Sequence, residues 1–331
     1  MSGGYVCRAD GRTDGNGVYR LMRQKEQYMQ KTIVVWLGAL ICCTLWGSAY
    51  PCIKIGYGMF AVGAEDVASQ ILFAGCRFSL AGVLSILLGS AAGKKILIPG
   101  RTSWGKVLIL CMMQTVLQYL FFYIGLARTT GVKASIIEGV NVFCAILVAS
   151  LLFQQETLNG RKIIGSIIGF AGVVLVNLTG GGLDLGFTFL GEGFIFLSAV
   201  AYAFSSACMK IFSKDENPVA LSGWQFLIGG LIMMLCGFTA GGRLTVWTGK
   251  GVLLLLYMAM ISAVAYSLWG ILLKYNPVSK VAVFGFMNPV CGVILSAVLL
   301  GETDSLSVMS VAALVLVCMG IYIVNRPEKA E

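Results

Sequence analysis

The sequence predicts an all-α polytopic membrane protein with ten transmembrane helices, arranged as two inverted five-helix repeats around a central cavity. Hydrophobic residues make up 58% of the 331 positions and charged residues only 12%, about half the charged fraction of a soluble domain. The apolar residues collect in runs of about 20, the length of helix that crosses a bilayer. The second half of the chain also repeats the first.

The apolar runs define the ten helices in chain order. Two runs carry one charge each, at Arg77 in span two and at Glu138 in span four. Spans six and seven lie near 193–209 and 217–242. The other six are free of charge and cover 32–53, 107–127, 163–183, 251–273, 281–301 and 305–325. All are continuous rather than alternating, which predicts helices and not the strands of a membrane barrel.

The repeat is visible residue against residue. Segments 46–54 (WGSAYPCIK) and 202–210 (YAFSSACMK) align their small residues, cysteine and lysine. Further pairs follow at a constant spacing of 147: Tyr119 and Tyr266, Lys133 and Lys280, Asn141 and Asn288, Cys144 and Cys291. A constant spacing over most of the chain is hard to obtain by chance. It divides the chain into repeats at 32–178 and 187–325, with a disordered cytoplasmic tail at 1–31 and a short one at 326–331.

An odd number of spans in each repeat inverts the second repeat relative to the first, the architecture of many secondary transporters. Of the 24 lysine and arginine residues, 18 fall in the tails and loops at one end of the spans. The other end holds Lys54, Arg128, Lys133, Arg243 and Lys250. The positive-inside rule then predicts a multi-pass protein of the cell membrane, plasma or inner, with both termini in the cytoplasm. The net charge of +9 therefore reports topology, and we expect no nucleic-acid partner.

Several kinds of chemistry are excluded by composition. The chain has no histidine, which removes histidine proton relays, Ser-His triads and the usual zinc sites. Ten of the 11 cysteines lie in or beside apolar spans without a CxxC pair, as packing residues do. We therefore predict no enzyme activity, no metal and no cofactor. The expected partners are a small-molecule substrate, the lipid bilayer and protons, for a monomer or weak dimer.

The chain resembles the drug/metabolite transporter superfamily, EamA type, over about residues 32 to 325. The resemblance rests on these segments: Leu45 to Ser48, Arg77-Phe78, Ala134 to Glu156, Gly172-Val173, Asn288 to Glu302 and Gly320-Ile321. It implies a carrier in which helices one to four and six to nine surround a cavity while five and ten pack outside. Export of amino acids and related metabolites is the commonest activity of that family. The chain departs from the family pattern in span four, where a common proline is missing near Asn141 and Val142 and Glu138 replaces a small or hydroxyl residue.

The two charges inside spans are the first candidates for a functional site. Glu138 and Arg77 both lie in the first half, and their repeat mates, Gly285 and Gln225, are uncharged. A charge within the bilayer is costly unless it faces water or a partner. We hypothesise that the two compensate each other across the cavity and serve substrate binding or proton coupling. The alternatives are a fixed ion pair that joins helices two and four, or simple hydration of Glu138 near the surface.

Other candidates follow from spacing and repeat position. Aromatic residues that could line a cavity, or else anchor the membrane interface, are Trp46, Tyr50, Tyr119, Tyr123, Tyr202, Tyr266 and Trp269. Asn141 and Asn288 could bind substrate or pack helices together. Pro51 and Pro289 are expected to bend their helices. Lys54 and Lys210 are either charges at opposite mouths or lysines that snorkel to the interface. Glu156 and Glu302, at corresponding span ends, are expected to cap helices.

These observations together predict a secondary transporter, most simply an exporter, of a small organic metabolite such as an amino acid, working by alternating access. The alternatives are a membrane scaffold or receptor without transport, or a membrane-embedded enzyme. An enzyme would cluster several acids, histidines or cysteines at one depth, whereas the charges within these spans are few and dispersed.

Overall fold

The computed structural model describes residues 23–24, 26–63, 65–129, 131–178, 187–300 and 308–326. Within this part ten helical segments follow one another: α1 (Thr32–Met59), α2 (Val67–Gly93), α3 (Arg101–Leu126), α4 (Gly131–Gly139, Asn141–Leu147 and Val148–Leu152), α5 (Gly160–Leu178), α6 (Phe189–Phe212), α7 (Pro218–Thr239), α8 (Gly249–Tyr275), α9 (Val278–Ala282, Val283–Phe286 and Met287–Leu300) and α10 (Val308–Asn325). Of the predicted tails, 1–31 and 326–331, residues 1–22, 25 and 327–331 lie outside the described residues, as does Glu302. Residues 26–30, which the sequence assigned to the disordered tail, are helical.

Six of these helices, α1, α2, α3, α6, α7 and α8, are long and apolar enough to cross a membrane, by length and composition. Shorter apolar helices lie within α4, α9 and α10, at Ile136–Leu152, Val278–Gly292 and Val311–Asn325. The residues described contain helices and no strands. This confirms the predicted all-helical polytopic membrane protein. The exact number of crossings stays a prediction.

Equivalent helices of the two halves run antiparallel to each other, so the halves are inverted. Along α2 and α7, Leu72 lies opposite Gly237, whereas Ile86, further along α2, lies opposite Gly223. Glycine makes this contact possible, since a Cβ on Gly230 would lie 2.3 Å from the backbone nitrogen of Ser79. Helices α5 and α10 meet in the same antiparallel way through Gly165 and Gly320, among others. Each pair consists of repeat mates, so a pseudo-twofold axis passes between their members.

Eight helices form a closed ring, in the order α2, α8, α1, α9, α4, α6, α3, α7 and back to α2. Exchanging each helix for its repeat mate leaves this order unchanged. Helices α5 and α10 lie outside the ring, packed on each other and on α4 and α9. This is the arrangement that the family resemblance implied.

The ring has two ends, which we name by the two ends of α1: the Thr32 face and the Met59 face. The largest hydrophobic core fills the half of the bundle next to the Thr32 face and includes Val35, Val107, Ala207 and Leu272, all fully buried. Two smaller clusters occupy the other half, one around Phe78 and Phe226 and one around Phe60 and Phe73. The continuous packing is therefore on the Thr32 side.

Helices α4 and α9 are both irregular at the same repeat position. Helix α4 is interrupted by a turn at Val140, and α9 passes through a 3-10 segment, Val283–Phe286. Pro289 lies in the first turn of the helical segment that follows, where a missing backbone N–H is tolerated. Pro51 lies inside α1 without ending it. The break in α4 forms although it lacks a proline.

Candidate functional site

A cavity of about 110 Å³ lies in the middle of the ring, between the packed core and the Met59 face. Seven helices contribute to its wall, which is formed by Trp46, Ala49, Ile53, Arg77, Gln118, Tyr119, Phe122, Tyr123, Glu138, Asn141, Tyr202, Tyr266 and Asn288. Nine of the predicted site residues are among them. Gln118 is a polar member that the sequence reasoning missed.

Glu138 lies in the cavity wall at the end of the first segment of α4, just before the turn at Val140. The hydroxyl of Ser198, on α6, donates to its Oε1 at 3.1 Å. Asn141, which begins the next helical segment, lines the cavity beside it. The repeat mate of Glu138 is Gly285, which occupies the equivalent place in α9. Gly285 approaches α4 closely, since a Cβ there would lie 3.2 Å from a methyl of Val142. Because Gly285 has no side chain, α9 can lie close to α4 at the level where Glu138 lines the cavity.

Arg77 occupies a position that has a neutral counterpart in the other repeat. It is 4% exposed, and its Nε and Nη2 donate to the Ser262 hydroxyl on α8 at 3.2 and 3.0 Å. Its Nε also faces the Met258 carbonyl at 3.3 Å. In the second repeat, the side chain of its mate Gln225 accepts from the Thr115 hydroxyl on α3 at 3.1 Å. Thr115 and Ser262 are 147 residues apart, so the same contact is made twice, once by a cation and once by an amide.

Arg77 and Glu138 do not form an ion pair with each other. Arg77 donates to the Ser262 hydroxyl, whereas Glu138 accepts from the Ser198 hydroxyl. They line one cavity from opposite sides of the ring, since Arg77 is on α2 and Glu138 is on α4, four helices away. A fixed salt bridge between helices two and four is therefore not what holds these charges. Both ionisable groups contribute to the surface of the same cavity.

Aromatic mates meet on the pseudo-twofold axis between the two charges. The hydroxyls of Tyr119 and Tyr266 hydrogen-bond to each other at 2.6 Å. The rings of Phe78 and Phe226 stack with centroids 5.3 Å apart and an interplanar angle of 11°. Trp46 packs edge-on against Tyr266 at 5.0 Å. These contacts join the two repeats at the cavity wall.

Three cavity residues carry buried polar atoms that have no partner among the described residues: Trp46 Nε1, Gln118 Oε1 and Asn288 Oδ1. Buried polar atoms are normally hydrogen-bonded, so each one needs an explanation. One donor and two acceptors on the wall of a cavity match a polar ligand or ordered water. The described residues hold no group of three or more cysteine, aspartate or glutamate side chains that would bind a metal.

The family model for EamA-like transporters matches the chain twice, over residues 33–178 and 189–326. The chain belongs to the EamA-like transporter family. This confirms the resemblance and the prediction of a transporter rather than an enzyme.

Relatives of this EamA-like transporter carry transporter names. It is 28% identical to the probable amino-acid metabolite efflux pump of Salmonella typhimurium, over 86% of this chain and 92% of that one. It is 26% identical to the uncharacterized transporter YvbV of Bacillus subtilis (87% and 90% covered) and 29% identical to the uncharacterized inner membrane transporter YedA of Escherichia coli (84% and 89% covered). A solved crystal structure matches with a TM-score of 0.72 at 17% identity, covering 87% of this chain and 95% of that one, which shows the fold.

Some predicted residues of this EamA-like transporter lie away from the cavity. Trp269 is 2% exposed and belongs to the core on the Thr32 side, because it lies one turn beyond Tyr266 on α8; it is not among the residues that form the cavity wall. Lys210 is half-buried, and its ammonium donates to the Leu273 and Asn276 carbonyls at the end of α8. Lys54 is exposed near the Met59 end of α1. The side chain of Tyr50 lies outside the described part.

Glu156 caps a helix as expected, but a more distant one. Its carboxylate accepts from the backbone nitrogen of Ser279 at 2.8 Å, at the start of α9, and from Lys162 at 3.0 Å. The start of α5, directly after it, is capped by Asn159 instead. On the same face the half-buried Lys106 ammonium donates to the exposed Asp215 at 2.9 Å and holds the pKa of that carboxyl below its usual value. The loops of the Thr32 face are thus tied across the repeats.

Proposed function

We propose that this EamA-like transporter is a secondary transporter that exports a small organic metabolite, an amino acid or a close analogue, by alternating access. The observation that carries the proposal is the cavity in the middle of an inverted eight-helix ring, with Glu138 and Arg77 at its opposite ends. Carriers built from inverted repeats bind substrate near the bilayer midplane, at the interface of the repeats. The cavity lies between the two repeats, which supports the proposal.

The charges favour a dipolar substrate. Glu138 is suited to an ammonium group, whereas the Arg77 guanidinium is suited to a carboxylate, which it binds by paired hydrogen bonds. Tyr119, Tyr202 and Tyr266 supply aromatic surface between them. An α-amino acid carries both charges close together, and the analogues accepted would need at least one of them. The name of the Salmonella relative, an amino-acid metabolite efflux pump, agrees with this choice.

The direction of opening follows from the packing. The continuous core on the Thr32 side supports a state that is closed there, with the cavity nearer the Met59 face. The positive-inside rule places the Thr32 face in the cytoplasm, in the plasma or inner membrane. We therefore interpret the structure as the state that releases an exported substrate. The cytoplasm-facing state is obtained by giving each repeat the conformation of its mate.

Glu138 is also the proposed coupling residue. A carboxylate that holds the ammonium of the substrate loses it when a proton takes its place, so one site exchanges protons for substrate. Ser198 donates to the carboxylate and keeps it oriented toward the cavity. Under this proposal a proton gradient drives export.

Counterflow in proteoliposomes tests the proposed function. Proteoliposomes that contain the purified protein are loaded with unlabelled amino acids, organic cations or organic acids in turn, and uptake of the same labelled solute is followed. We expect saturable exchange for amino acids or their analogues, with a pH dependence that Glu138→Gln abolishes. No saturable exchange for any class would favour a scaffold or receptor without transport.

A further inference from the structure

A second cavity, of about 420 Å³, opens at the Thr32 face on the outer side of the ring. It shares no residue with the central cavity. The ends of α1, α5, α9 and α10 surround it, and its wall consists mostly of polar and basic side chains. These include Glu156, Asn159, Arg161, Lys162, Lys280 and Arg326.

The balance of charge in this cavity is positive. Four cations stand against Glu156, the one carboxylate in the wall, and that carboxylate already binds Lys162 and the backbone nitrogen of Ser279. Among the described residues, Lys280 is bound only by a backbone carbonyl, that of Gln30, at 3.2 Å. Arg326 is exposed and makes no hydrogen bond or ion pair with the described residues. Lys280 and Arg326, which bind no carboxylate among the described residues, therefore offer a site for an anion.

The position of the cavity narrows the kind of anion. It lies at the ends of helices, where membrane-spanning helices are expected to reach the interface between bilayer and water. The adjoining surface of α5 exposes Ile163, Ile164 and Ile167, and α10 exposes Tyr322 near its end. An apolar helix surface below a basic recess fits acyl chains below a charged head group, and tyrosine is typical of that depth.

We propose that this recess binds a phosphate-bearing anion, held by Lys280 and Arg326 together with the other cations of its wall. An anionic phospholipid supplies such a group in the membrane, and a soluble phosphate ester supplies it from water. The site is independent of the proposed transport function, because it lies outside the central cavity. It adds a ligand to the loops that close the Thr32 face.

Native mass spectrometry and thermal melting of the full chain in detergent test the proposal. Phosphatidylglycerol and phosphatidylcholine are the lipid probes, and inorganic phosphate and glycerol 3-phosphate are the soluble ones. The variant Lys280→Gln/Arg326→Gln removes two cations of the recess. The control Lys95→Gln/Arg101→Gln removes two exposed cations from the same face, outside the recess.

We expect phosphatidylglycerol to bind and stabilise the wild type and the control, and to bind the recess variant about tenfold or more weakly. Stabilisation by the soluble phosphates alone, lost in the same variant, would support the site and assign it to a soluble anion. Equal phosphatidylglycerol binding by the recess and control variants would overturn the proposal. So would equal binding of phosphatidylglycerol and phosphatidylcholine by the wild type.

Discussion

The repeat offers a way to separate the structural role of Arg77 from its charge. Its mate Gln225 makes the equivalent hydroxyl contact, with Thr115, at 3.1 Å, which shows that an amide fits this place in the fold. Arg77→Gln is therefore expected to keep the bond to Ser262 while it removes the cation from the cavity wall. It also removes the cost of burying a charge, and replacing buried charges is often neutral or stabilising.

The stability of two variants gives the magnitude. Arg77→Ala loses the bonds to Ser262 and the Met258 carbonyl, at about 0.5–1.5 kcal/mol each, and the contact with the Phe78 ring at 5.3 Å, at about 1–2 kcal/mol. We therefore expect it to be about 2–5 kcal/mol less stable than the wild type. Arg77→Gln should stay within about 1 kcal/mol of the wild type, or exceed it.

Thermal and denaturant unfolding in detergent measure this difference, and counterflow measures transport on the same samples. We expect Arg77→Gln to unfold like the wild type but to bind the carboxylate of the substrate at least about tenfold more weakly, because it loses a charge-assisted hydrogen bond. If both variants are equally unstable, the charge of Arg77 serves the fold, and the reasoning from the repeat is refuted.

Three further predictions concern other sites. Glu138→Gln should raise the half-saturation concentration about 10- to 100-fold, since one charge-assisted bond is worth about 1.5–3 kcal/mol. Ser198→Ala keeps the carboxylate and should change the half-saturation concentration less than about fivefold. Equal effects of the two variants in counterflow would argue against substrate binding by the Glu138 carboxylate. Gly230→Ala forces α2 and α7 apart by roughly 1 Å and should cost about 1–3 kcal/mol in unfolding experiments, whereas Gly93→Ala, with no atom within 4 Å, should cost little. Lys210→Met removes two bonds to the last carbonyls of α8 and should speed hydrogen exchange in its final turn; unchanged exchange would favour simple snorkelling.

The sequence predicted the inversion because each repeat holds an odd number of apolar spans, whereas the ring with two outer helices was implied by the family resemblance. The sequence also singled out Glu138 and Arg77, since a charge is conspicuous in an apolar span. The partners of these charges were harder to foresee. Ser262 and Ser198 are ordinary small residues in helices, and only the helix crossings bring them to the charges.

Depth along a helix was the other limit of sequence reasoning. Tyr266 and Trp269 share a face of α8 and differ by one turn, yet one lines the cavity and the other is part of the core. Spacing gives the face of a residue but not its level relative to the packed half. The match between Thr115 and Ser262 at the repeat spacing of 147 is the signal in the sequence that points to these two hydroxyls.

The central claim is that the closed Thr32 face and the cavity side exchange access, and distances measured by pulsed electron spin resonance test it most directly. Spin labels on a background without the native cysteines are placed at Glu65 and Arg128 on the Met59 face, and at Lys214 and Pro277 on the Thr32 face; all four positions are exposed. With the substrate found by counterflow, we predict that the first distance shortens while the second lengthens. Two distances that stay fixed while exchange proceeds would contradict alternating access between these faces.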